Sequence, residues 1–416
     1  MRPGKLDATT VYRLFTALFG LTYSLVLTVS LIYQTQEAGL TPFQLVIAGA
    51  AMQISTFVFE IPTGVVADVR GRRLSVLTGL ALMGSAFLLM GANTTFAAIL
   101  VAQIIAGLGI TFISGAQEAW IADEVGPLRA GQVYMQGAQA LQVARLLGIP
   151  LGVAIGVVSL QLSLLTGGAM FLLTSLFLLA VMPETGFRPA KRNGGGPLVA
   201  FTTTFSDGIR LVRARPVLVT LFAMVGFYEV GGEVFIRLNV AHFLDIGLPG
   251  VKHLEPVVWF GGIRMVASLA GLVLVGRLRA GIDANSHEDL GRWLTRINLL
   301  QALAMLSFAV SGSFWMAALA YIIATSLSRT FQPLHLALIN LHAESSVRAT
   351  VISMSRQTDA LAQAIGAPAL GAVASLLSVR AALAGASSML LPAIGLNILA
   401  QGQNRKARVA SAPAAD

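Results

Sequence analysis

Runs of about 20 apolar residues, long enough to cross the hydrocarbon core of a bilayer as helices, recur along almost the whole chain, separated by short polar connections. In hydrocarbon every peptide group must find its partner inside the protein, which an α-helix achieves within one segment. The pattern therefore predicts an all-α integral membrane protein with 12 transmembrane helices. They are expected at about 11–34, 42–67, 74–92, 96–122, 132–158, 161–182, 215–244, 256–278, 293–311, 314–341, 347–376 and 379–401. These spans use most of the 416 residues, of which 56% are hydrophobic and 11% charged, and leave little for an extramembrane catalytic domain. The first run lacks a small-residue cleavage site and is followed by many like it, so it reads as a retained span.

The formal charge of +9 raises nucleic acid as a partner, and the position of the basic residues argues against it. Of 28 Lys and Arg, 20 fall in the tails and the alternate connections of one side, and Lys252 and Arg380 on the other. Six lie deeper in the spans, Arg145, Arg237, Arg264, Arg296, Arg329 and Arg356, while Arg13, Arg215, Arg277, Arg348 and Arg380, within two residues of a span end, are counted with the adjoining connection. By the positive-inside rule both termini are expected in the cytoplasm, with the protein multi-pass in the cell membrane. Cysteine is absent, which removes disulfides and thiolate chemistry, and the five histidines show no metal-ligand spacing. No cofactor and no metal are expected. The expected partners are a small-molecule substrate, protons and the lipid bilayer, with the protein a monomer.

The longest connection contains Gly194-Gly195-Gly196-Pro197 and then an amphipathic stretch, Leu198 to Val212, expected to lie on the inner membrane surface. The expected partition is a six-helix bundle over 1–183, a linker over 184–214, and a second six-helix bundle with a short tail over 215–416. An internal repeat supports it: Gly148 and Pro150 of the fifth span and Gly366 and Pro368 of the eleventh superpose on a shift of 218 residues, together with Gln139 on Gln357.

Between the second and third spans the chain reads Gly64-Val-Val-Ala-Asp68-Val-Arg70-Gly71-Arg72-Arg73. A helix-ending acid, a glycine turn and clustered guanidiniums make a compact latch, with Asp68 placed to face a neighbouring helix N-terminus. This segment resembles the signature of the major facilitator superfamily, Gly-x-x-x-Asp-x-x-Gly-Arg-Arg/Lys. Phe59-Glu60-Ile-Pro62-Thr63-Gly64, Ser114-Gly115-Ala-Gln-Glu118-Ala-Trp120-Ile-Ala-Asp123-Glu124 and Met182-Pro183-Glu184-Thr185-Gly186-Phe187 are similar to the drug:proton antiporter branch, in particular its tetracycline- and macrolide-efflux-like members. The resemblance implies the major facilitator fold, two pseudo-symmetric six-helix bundles, and proton-coupled drug efflux. Two departures stand out. Gln103 occupies a position where the fourth span of the family usually carries Arg, and in the fifth span Ile149 separates Gly148 from Pro150, with Gly152 and Gly156 following.

An ionisable group at membrane depth costs about 2.5–3.5 kcal/mol on insertion scales, so each needs a partner or a wet cavity. Span seven carries Glu229, Glu233 and Arg237 on one face, at i, i+4 and i+8. Glu233–Arg237 has the geometry of a structural ion pair or of a coupling site; Glu229 has no local cation and is the better proton carrier. Span eleven offers Arg356 and Asp359 at i, i+3, again either a structural pair or a coupling site. Glu60 and Glu118 read as gate or cavity acids, and Arg145 as a cavity charge or a partner for an acid of another helix. Aromatics including Phe15, Phe19, Tyr228 and Phe331 supply either a broad apolar pocket or packing. The reading is a secondary transporter working by alternating access, with proton-coupled uptake, or movement of lipid- or siderophore-like solutes, as the alternative. An enzyme is disfavoured by the lack of a nucleophile–base or His-Glu-x-x-His constellation, a channel by the lack of a filter-like repeat, and ATP drive by the lack of Gly-x-x-x-x-Gly-Lys-Ser/Thr.

Overall fold

The computed structural model of the chain describes residues 6–189, 206, 210, 212–213, 215–250, 254–279, 281–342 and 348–411. The described residues form helices and no strand: α1 (Ala8–Gln36), α2 (Pro42–Arg70), α3 (Arg72–Ala92), α4 (Phe96–Ile113), α5 (Ala116–Val125), α6 (Pro127–Val158) and α7 (Leu160–Val181). After the long connection come α8 (Pro216–Ile246), α9 (Pro256–Arg279), α10 (His287–Val310), α11 (Phe314–His342), α12 (Arg348–Leu376), α13 (Val379–Ser388) and α14 (Leu390–Ser411). Among the described residues twelve helical segments are long and apolar enough to cross a membrane, α4 with α5 and α13 with α14 each making one interrupted span. The all-α architecture with twelve spans read from the sequence is the one the described residues adopt.

Helices begin earlier than the apolar runs because their caps are polar and lie outside any hydropathy window. Asp7 accepts from the Thr9 amide at 3.1 Å. Thr41 and Gln44 form a reciprocal capping box ahead of α2. The fifth span starts at Pro127 and not near 132, because Gly126, at φ +80°, turns the chain and Pro127 suits the first helical position. The ninth starts at His287 and not near 293, capped by Ser286. Span four, expected to be continuous, breaks where Gly115 takes φ +75° between α4 and α5.

The chain divides into two compact units. The first comprises Met1–Thr202 with Val251–Gly262, and the second Thr203–Gly250 with Ile263–Asp416. In the first, α1 packs between α6 and α7, α3 packs on α4 and α7, and α2 on α4. In the second, α8 packs on α12 and α14, and α10 on α11, α13 and α14. The two units thus repeat one neighbour pattern internally: first helix on fifth and sixth, third on fourth and sixth.

The paired Gly-Pro motifs serve the same internal contact in each unit. A Cβ at Gly148 would stand 2.4 Å from the Leu21 carbonyl oxygen, and one at Gly152 2.7 Å from that of Leu25. The bare face of α6 therefore lets its backbone and that of α1 touch, the close approach by which small residues hold helices together in lipid. Gly366 does the corresponding work on α12, where a Cβ would meet a Val230 methyl of α8 at 2.4 Å. Pro150 and Pro368 each lie inside their helix. The amphipathic stretch Leu198–Val212 falls largely outside the described residues. Its end, Val212, is buried in a cluster with Leu218, Phe222, Ile339, Val351 and Met354.

Candidate functional site

Helix α8 carries Glu229, Glu233 and Arg237 one turn apart, Glu229 standing about 20 Å along the axis from Pro216 at 1.5 Å per residue. The Arg237 Nε donates to Glu233 Oε1 at 2.7 Å, and both side chains are largely buried, so this pair is an intrahelical ion pair. Glu229 points elsewhere. Its Oε1 accepts from Gln332 Nε2 of α11 and its Oε2 from Gln363 Nε2 of α12, each at 2.7 Å. One turn before Gln363 on α12, Asp359 lies within electrostatic reach of both Glu229 and Arg356, and its Oδ1 is buried without a hydrogen-bond partner. Three helices of the second unit thus bring two carboxylates and two amides together, with Arg356 on the exposed side of α12.

Beneath this cluster the Tyr228 ring stacks on Phe331 with centroids 3.5 Å apart, and its hydroxyl donates to Gln301 Oε1 at 3.0 Å. His335 also stacks on Phe331, buried, with neither ring nitrogen hydrogen-bonded. Tyr228 and Phe331 are thus packing residues under the carboxylates. Phe15 likewise is buried against Phe19 in the first unit. Gln332 and Gln363 carry no charge, so a search for ionisable groups passes over them. The signal that finds them is an amide one helical turn from Asp359, and another beside the intrahelical Pro333.

In the first unit the α2–α3 connection is a knot of charge. Arg72 Nη1 meets Asp123 Oδ2 of α5 at 2.9 Å, and Arg72 Nη2 lies 3.7 Å from Asp68 Oδ1. Asp68 was expected at a helix N-terminus; the carboxylate that serves the start of α3 is Glu184, whose Oε1 accepts from the Arg73 amide at 2.8 Å. The reason is local geometry. Asp68 is four residues before Arg72 and is drawn sideways to it, while Gly71, at φ +127° and without a Cβ, leaves room for Glu184 arriving from the end of α7. The Arg73 guanidinium donates to the Leu179 carbonyl. Glu124 accepts from the Thr185 and Gly186 amides at 2.6 and 2.8 Å, and Trp120 Nε1 donates to the Pro183 carbonyl at 2.6 Å. The segments at 59–73, 114–124 and 182–187 thus meet in one structure. Gly64 has open space around it.

Glu60 Oε1 accepts from Ser114 Oγ at 3.5 Å, at the break between α4 and α5. Glu118 accepts from Gln117 at 2.9 Å on one oxygen, and its other oxygen is buried without a hydrogen bond. Arg145, on α6, has its Nε buried without a hydrogen-bond partner. Arg329 donates to Ser268 Oγ at 3.0 Å across α9, its stem passing over Gly271. Among the described residues no cluster of three or more His, Asp or Glu is arranged to hold a metal ion.

The family model described as the Major Facilitator Superfamily matches residues 14–284. The chain belongs to the Major Facilitator Superfamily. By family and fold it is a multi-pass membrane transporter and not an enzyme. A curated relative, the uncharacterised MFS-type transporter YxaM of Bacillus subtilis (strain 168), is 29% identical over 105 residues, 25% of this chain. The chain spans 26% of the length of that relative. Among solved structures, a bacterial homologue of the human lysosomal transporter Spinster is 14% identical with TM-score 0.72, covering 94% of this chain and 96% of that one. The nucleoside transporter NupG gives 13% and 0.73, covering 95% and 99%. A POT family transporter in complex with a thioalcohol-conjugated peptide gives 13% and 0.73, covering 96% of each chain. At these identities the likeness is one of fold.

Proposed function

We propose that this superfamily member is a proton-coupled secondary transporter that exports lipophilic or amphipathic drugs, of the tetracycline- or macrolide-like kind, by alternating access. Its two six-helix bundles, 1–183 and 215–416, move about the linker over 184–214, with both termini cytoplasmic and the protein in the cell membrane as a monomer. The observation that carries the reading is the Glu229–Asp359 cluster. Two carboxylates in a water-poor setting repel, and a proton taken up by the pair relieves that repulsion. Protonation of Glu229 also changes what Gln332 and Gln363 can donate to, so proton binding is linked to the positions of α8, α11 and α12. Glu233 and Arg237 hold the acid-bearing face of α8 in place, and Arg356 balances charge at Asp359.

The knot of Asp68, Gly71, Arg72 and Arg73 acts as a latch on the cytoplasmic side, made and broken as access alternates, with Glu60 and Glu118 as gate acids and Arg145 as a cavity charge. The test is solute flux in proteoliposomes with an imposed pH gradient, for a panel of a tetracycline, a macrolide and a dye. Export that rises with the gradient and collapses with a protonophore is the expected result. Flux insensitive to the gradient would remove proton coupling, and solute accumulation with the proton flow would reverse the direction.

A further inference from the structure

A groove of about 460 Å³ runs along one flank of the α1–α6 seam in the first unit. Its chemistry is graded from end to end. On α6, Gln136, Gln139, Ala140, Val143 and Leu147 fall at i, i+3, i+4, i+7 and i+11, all on one face, and all line the groove. Across the seam α1 contributes Arg13. The helices run parallel, since Tyr12 packs at Gly137, Leu21 at Gly148 and Leu25 at Gly152. Arg13 therefore sits at the Gln136–Gln139 end, while Val143 and Leu147, each 59% exposed, continue the groove as an apolar wall.

Among the described residues, the side chains of Arg13, Gln136 and Gln139 make no hydrogen bond or ion pair, and no carboxylate lines the groove. A guanidinium fork, two amide donors and an adjoining apolar wall, set along about 16 Å of α6 from Gln136 to Leu147, are complementary to one kind of molecule. We propose that this groove binds an amphipathic organic anion, its carboxylate or sulfonate taken by Arg13 with Gln136 and Gln139 donating, and its tail lying along Val143 and Leu147. Arg matches such a head bidentately, and the volume is that of a small-molecule site. The inference rests on the transport reading and narrows it, from the mixed panel above to solutes that carry an acidic head.

The test is equilibrium binding of a fluorescent amphipathic acid, dansylaminoundecanoate, and of its uncharged alcohol analogue. The full chain is held in phosphatidylcholine nanodiscs with no pH gradient. The acid is expected to bind saturably and at least about tenfold tighter than the alcohol, the size of one charge-assisted hydrogen-bonded contact. Arg13→Gln should weaken the acid by about the same factor and leave the alcohol unchanged. Gln139→Glu, which places a repelling carboxylate in the groove, should weaken the acid likewise and keeps the test open should Arg13→Gln fail to insert. Arg129→Gln, on α6 but outside the groove, should bind as the parent does. Equal affinity for acid and alcohol, or wild-type affinity in both groove variants, overturns the proposal. So does displacement of the probe by phosphatidylglycerol, which would assign the groove to a lipid headgroup. Lost pH-driven flux with intact probe binding would count against proton coupling alone; lost binding with intact flux would count against the groove alone.

Discussion

Glu229 is held by two amides from two other helices, and that arrangement makes its role separable from bulk packing. Each Gln–carboxylate hydrogen bond is worth about 1.5–3 kcal/mol when the acceptor is charged. Gln363→Leu should therefore lower the melting temperature clearly in the parent and change it little once Glu229 is Leu, since the acceptor it served is gone. Equal losses of melting temperature in both backgrounds would show that Gln363 acts by packing. In the proposed latch, Asp123→Asn leaves Arg72 with the longer ion pair to Asp68 alone. The lost pair is partly exposed and worth about 1 kcal/mol or less. Transport rate should drop while insertion and melting temperature stay near the parent, and the swap Arg72→Asp with Asp123→Arg should recover part of the rate. Failure of the swap to recover any would separate the latch from the pair. The Glu233–Arg237 pair was legible in the sequence because both members share one helix and their spacing alone brings them together. The partners of Glu229 were not, since nothing along the chain relates residues 229, 332 and 363 until three helices are packed.

Helices were the most legible level, because a bilayer allows a spanning chain so few alternatives. What hydropathy misses is how helices end and where they break, since both are decided by single polar or glycine residues. Gly71 shows this. Its φ of +127° and ψ of 139° lie where a side chain costs about 1–3 kcal/mol, and a Cβ there would sit 3.1 Å from Glu184 Oε1. Gly71→Ala should lower thermal stability by that order in detergent, whereas Gly64→Ala, in open space within α2, should be neutral or gain up to about 1 kcal/mol. Matching melting temperatures for the two variants would contradict the cap geometry. On α6, Gly148→Val forces apart two backbones in contact and should destabilise by at least about 1–3 kcal/mol, read as loss of monodisperse protein on size exclusion or a lowered melting temperature. The start of α3 shows it too: Asp68 pairs with Arg72, its first residue, while Glu184, arriving from beyond α7, accepts from the Arg73 amide.

At the scale of the whole molecule, the 218-residue shift that aligns Gly148-Pro150 with Gly366-Pro368 carried real information, since each motif lies on the fifth helix of its unit, and each glycine packs on the first. Charge placement does not repeat in that way. The Arg72 charge knot belongs to the first unit and the carboxylate cluster to the second, so the helix pattern is shared between the units while these charged groups are not. In the account proposed here, protons act on the second unit and the solute's acidic head on the first. The most direct measurement compares the parent with Glu229→Gln in proteoliposomes under two regimes: accumulation driven by a pH gradient, and solute exchange at equal pH. We predict that Glu229→Gln abolishes driven accumulation and retains exchange, because solute movement between the two faces does not itself need the proton. Undiminished gradient-driven accumulation in that variant would contradict the account at its centre.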